Sequence, residues 1–111
     1  MNVVEKDRVV SDMLRDELER CREMVAEQEK ASVALPRGSL SVRKKRHGDR
    51  EYSYHALKYR EGERVVSRHV AAGEVEALSK RLEERGRYEK EIRALRRRIV
   101  YLEKLLGVGR N

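Results

Sequence analysis

Arg43, Lys44, Lys45 and Arg46 form an unbroken cationic run, followed before residue 70 by Arg50, Lys58, Arg60, Arg64 and Arg68. Tyr52, Tyr54 and Tyr59 are interleaved with them. Guanidinium and ammonium groups neutralise phosphates, and flat aromatic rings stack on bases. A β-ribbon carrying arginine can also reach base edges in a major groove. The chemistry this pattern offers is recognition of a polyanion. Expected nucleic-acid contacts are Arg43, Lys44, Lys45, Arg46, Arg50, Tyr52, Tyr54, Lys58, Arg60, Arg64 and Arg68. The competing reading is a solvated sheet whose cations blunt edge pairing and whose tyrosines are strand formers.

A second pattern is apolar. Tyr88, Ile92, Leu95, Ile99, Leu102 and Leu106 repeat at spacings of four and three, an a/d heptad seam. With Ile92 and Ile99 at a and Leu95 and Leu102 at d, the residue types favour a parallel dimer. Glu91 would face Arg96 of the partner, and Arg98 would face Glu103; Glu84 against Glu89 is the exception. The seam is therefore the expected oligomerisation surface. Packing of the same seam on the chain's own first helix is the alternative, and a dimeric four-helix bundle would combine the two. Arg93 and Arg96-Arg97-Arg98 are spread around this helix by its turn of about 100° per residue, so they read as solvated coiled-coil surface.

Catalytic chemistry finds no support. His47, His55 and His69 lack the paired spacing of a zinc site, so no metal ligands and no cofactor are expected. Cys21 is the single cysteine, which excludes an intrachain disulfide. It lies on an apolar stripe, where a thiol acts as a small hydrophobe. Gly107-Val108-Gly109 neither follows a strand nor opens a helix, so it is no nucleotide loop. The chain is not expected to be an enzyme.

Three elements must hold these residues. Val10, Leu14, Leu18, Cys21 and Val25 share one face of a helix expected over residues 4–33. Pro36 disfavours helix at Leu35 and ends it. Residues 39–70 read as three strands: Ser39-Leu40-Ser41-Val42 running into the basic run, a Tyr-rich segment after His47-Gly48-Asp49-Arg50, and Arg64–Val70 after a turn at Glu61-Gly62. A slip of apolar phase at Ala56-Leu57 predicts a bulge. A second helix is expected over residues 73–106, weakened at Gly86 and stopped by Gly107, Gly109 and Asn111. The expected fold class is α+β in one domain spanning residues 1–111: a long N-terminal helix, a three-stranded antiparallel β-meander and a long coiled-coil-like C-terminal helix.

Composition agrees with exposed helices around a small core. Of 111 residues, 42% are charged and 5% aromatic, with neither Trp nor Phe, which disfavours a deep enzyme pocket. The net charge of +7 is unevenly placed, with −3 over residues 1–36, +6 over 37–69 and +4 over 70–111. A basic balance suits a polyanion partner. The N-terminus has no apolar signal core and no segment approaches a membrane span, so a cytoplasmic protein without a membrane partner is expected.

Leu35-Pro36-Arg37-Gly38-Ser39-Leu40, the basic strand, Tyr59-Arg60-Glu61-Gly62 and the charged helix together resemble small uncharacterised bacterial proteins with an LPxGSL motif. The likeness spans roughly residues 30–100 and implies no established activity. The meander followed by a helix is also similar to the arm-type DNA-binding domains of tyrosine recombinases, which implies a sheet that approaches the major groove. Those domains lack the long first helix and the heptad seam. The expected function is a small nucleic-acid-binding protein, DNA ahead of RNA, that dimerises through its helices. The alternative is a coiled-coil protein-interaction module, such as an adaptor or inhibitor from a mobile element, with a protein partner on the helices.

Overall fold

The computed structural model describes residues 7–107. Helix α1 (Arg8–Val33) is followed by strands β1 (Ser39–His47), β2 (Arg50–Glu61) and β3 (Arg64–Val70). A 3₁₀ turn (Ala72–Glu74) then leads into helix α2 (Val75–Leu106). The fold is α+β, with one antiparallel sheet in the order β1-β2-β3. The backbone groups into two compact units. One comprises Met1–Val33 with Arg87–Asn111, the other Ala34–Gly86.

The helical unit is built on the two apolar stripes. Asp7 caps α1: the Val10 N–H donates to Asp7 Oδ1 at 3.1 Å and the Ser11 N–H to the Asp7 carbonyl at 2.9 Å. This satisfies donors that every helix start leaves open. Of the helix expected to begin at residue 4, residues 4–6 lie outside the described residues and Asp7 is the cap. Leu18, Cys21, Leu102 and Leu106 form a buried cluster, joined by half-buried Leu14, Leu95 and Ile99. Val25 and Ile92 are also buried. Three ion pairs bind the helices on their flanks: Arg22–Glu103 at 2.9 Å, Arg96–Glu29 at 2.6 Å and Arg98–Glu17 at 3.3 Å. Position 22 meets 103 and position 29 meets 96, so α1 and α2 run antiparallel here. The N–H of Gly107, at φ +68°, returns to the Lys104 carbonyl and ends α2. Gly109 and Asn111, expected to help stop the helix, lie outside the described residues.

The sheet unit is a meander with two tight corners. Each hairpin has a two-residue loop, Gly48-Asp49 and Gly62-Glu63. Both glycines have φ +64° and lead into residues of negative φ. Glycine first with positive φ marks a type II′ turn, whose twist matches that of the flanking strands. The ladder on β2 is unbroken from Arg50 to Glu61, so the expected bulge at Ala56-Leu57 is absent. Both residues are buried, and successive strand residues point to opposite faces. The sheet is covered on both sides at that level. The apolar phase does not slip; it serves two faces in turn.

Candidate nucleic-acid interface

Register sorts the basic residues by face. Arg43, Lys45, Arg50, Tyr52, Tyr54, Lys58 and Arg60 share one face of the sheet with Ser39, Ser41, His47, Ala56, Val65, Ser67 and His69. No strand residue on that face is acidic. The opposite face carries Lys44, Arg46, Arg64 and Arg68 together with Glu51 and Glu61. Lys44 Nζ lies 3.7 Å from Glu51 Oε1 there. Among the described residues, Arg43, Lys45, Arg50, Lys58 and Arg60 form no ion pair. A continuous run of four cations in sequence is thus divided two and two.

The carboxylate-free face is itself in two parts. β3 pairs with β2 only from His55 onward. Residues 43–47 and 50–54 therefore form a two-stranded ribbon beyond the third strand. Five paired residues reach about 17 Å at the usual strand rise. On the carboxylate-free side of this ribbon, Arg43 stands opposite Tyr54, Lys45 opposite Tyr52 and His47 opposite Arg50. Tyr52 is 48% exposed, whereas Tyr54 is half-buried. The Tyr54 ring stacks on His69 at 5.6 Å between centroids, which fixes it at the root of the ribbon. Lys58 and Arg60 lie past buried Ala56, near the second turn. Arg64 and Arg68 belong to the other face of β3. Of the eleven expected contacts, the ribbon's carboxylate-free side gathers Arg43, Lys45, Arg50, Tyr52 and Tyr54, and its other side carries Lys44 and Arg46.

The expected oligomerisation residues stand elsewhere. Ile92, Leu102 and Leu106 are buried, and Tyr88, Leu95 and Ile99 are half-buried. The core cluster places Leu95, Ile99, Leu102 and Leu106 against α1. Three charges expected to pair across a parallel dimer, Arg96, Arg98 and Glu103, pair with Glu29, Glu17 and Arg22 of α1 instead.

Cys21 is 1% exposed and donates from Sγ to Glu17 Oε1 at 3.5 Å. Burial, and then the adjoining Glu17 carboxylate, push its pKa upward. Both disfavour the thiolate that nucleophilic chemistry needs. Among the described residues, no cluster of His, Cys, Asp and Glu is arranged to hold a metal ion. No helix among them is long and apolar enough to cross a membrane.

Beyond the expected contacts, Pro36, Arg37 and Tyr59 are joint walls of a cleft beside the sheet. The signal was present in the LPRGSL motif, where a proline, a cation and a glycine adjoin the start of β1. The chain matches no family model, no curated protein and no solved structure.

Proposed function

We propose that the protein binds nucleic acid through the β1–β2 ribbon, with duplex DNA the preferred form. The observation that supports this is one ribbon face carrying Arg43, Lys45 and Arg50 exposed and unpaired, beside Tyr52 and Tyr54, with no carboxylate among them. Cations not neutralised at home are free to displace counterions from phosphates. A ribbon fits a major groove about 12 Å wide, and its arginines can then meet base edges. Fluorescence anisotropy with labelled duplex DNA, single-stranded DNA and RNA, at low and physiological salt, tests this. The expected result is salt-sensitive binding. In Arg43→Ala/Lys45→Ala/Arg50→Ala the slope of log K against log salt should flatten by about 0.9 for each phosphate that is no longer neutralised. Arg64→Ala, on the other face, should change it little. Absence of binding to every probe at low salt would sink the proposal.

A second reading, association of two copies through the helical unit, is favoured by apolar residues left outside its core. Val9 (69% exposed), Met13 (66%) and Tyr101 (61%) lie on the surface of α1 and α2. Light scattering after size-exclusion chromatography distinguishes a dimer from a monomer whose seam is already filled.

A further inference from the structure

The LPRGSL segment is tied to α2 at its start and lies close against β2 at Gly38, and a cleft opens beside it. The Arg85 guanidinium donates from Nη1 to the Leu35 carbonyl at 2.6 Å. Gly38, at φ +116°, passes so close to β2 that a Cβ there would collide with the Lys58 carbonyl oxygen. Between these two points, Pro36 and Arg37 stand beside the sheet face that carries Leu57, Tyr59 and Arg68. These five residues line a cleft of about 220 Å³.

The lining is chemically specific. Leu57 is buried and Pro36 half-buried, so the cleft has apolar surface at depth. Tyr59 supplies an aromatic wall, and the Arg37 guanidinium lies 5.9 Å from that ring's centroid, within cation–π range. At an exposed position such a contact is worth about 0.5–1 kcal/mol. Arg68, directly opposite Leu57 across the ladder, is exposed and makes no hydrogen bond or ion pair among the described residues. The lining thus holds two guanidiniums and no carboxylate. Small-ligand sites commonly combine an apolar floor with a few placed polar groups, and guanidinium matches carboxylate and phosphate in a two-pronged way.

We propose that this cleft binds a small planar anion, with the flat body against Leu57, Pro36 and Tyr59 and the anionic group between Arg37 and Arg68. A mononucleotide and an aromatic carboxylate share that chemistry. The site lies on the opposite face from Arg43, Lys45 and Arg50, so it does not depend on nucleic-acid binding by the ribbon.

The test is a two-dimensional amide NMR titration of the full chain with adenosine monophosphate, benzoate and uncharged adenosine. Saturable shifts at Gly38, Tyr59 and Arg68 with either anion, and about tenfold weaker binding of adenosine than of its monophosphate, are expected. Response to the monophosphate alone assigns a nucleotide, and response to benzoate alone an aromatic acid. Arg37→Gln and Arg68→Gln, both exposed positions, should each weaken the bound anion about tenfold while leaving the remaining spectrum in place. No saturable shift with either anion would overturn the proposal. So would adenosine binding as tightly as its monophosphate, affinity unchanged in both variants, or shifts confined to the ribbon at Tyr52 and Tyr54.

Discussion

Gly38 and Cys21 show how single residues are committed by their surroundings. Gly38 combines a positive φ with backbone contact, so a side chain meets two obstacles at once. Gly38→Ala should cost more than about 1 kcal/mol, read as a lower urea midpoint, because alanine is strained where φ is positive. Gly86 is the opposite case: it lies inside α2 with open space where a Cβ would go. Gly86→Ala should raise stability by about 0.5–1 kcal/mol. Cys21 carries a pH signature. Its thiol holds its proton more tightly folded than unfolded, because of burial and then Glu17. The unfolded chain therefore releases that proton first, and the Cys21 contribution is whole below about pH 8.5 and is lost as pH rises through the folded pKa. Urea midpoints of wild type and Cys21→Ala should draw together between pH 7 and pH 10. A constant gap would show that thiol ionisation plays no part.

At the scale of elements, periodicity made the architecture readable. The stripe Leu14, Leu18, Cys21 and Val25 packs inward over all but its first expected member, Val10, which is 38% exposed. Pro36 and the glycine turns place the boundaries because their backbone limits are local. The partner of the heptad seam was not legible, since a/d spacing describes a face and leaves its cover open. Antiparallel packing on α1 answers it within the chain through Leu18 and Cys21. Leu102 is 2% exposed at the centre of that packing. Leu102→Ala should cost about 2–5 kcal/mol by denaturant unfolding, a large share of the stability of a small domain. Loss of any one flanking ion pair should cost under about 1 kcal/mol, since all three are partly exposed. The site was legible in composition and illegible in arrangement. Arg43 to Arg46 read as one cluster; strand alternation divides it two and two, and only the register set by the two-residue turn shows which β2 residues join each pair.

For the whole molecule, the two compact units divide the work expected of the chain. The helical unit holds the seam and its ion pairs, and the sheet unit holds the ribbon and the cleft. If both proposals hold, a nucleic acid and a small anion occupy opposite faces of one three-stranded sheet. Because β2 contributes to both, titration with adenosine monophosphate should leave the ribbon's DNA affinity within about twofold, as expected for sites that share no ligand contacts. Anisotropy repeated at saturating monophosphate measures this, and a larger change would reveal coupling through the central strand.

The alternation of charge along β2 also means that the chain has isomers that bulk measurements cannot tell apart. Exchanging Arg50 with Glu51 preserves mass and composition, and leaves net charge at +7. It moves a carboxylate to the face that has none and a guanidinium to the side of Arg46. Electrofocusing and intact-mass measurement would report the same protein, while a polyanion would meet a different one. What the ribbon offers a partner is therefore written in the order of neighbours, and two adjacent codons suffice to rewrite it.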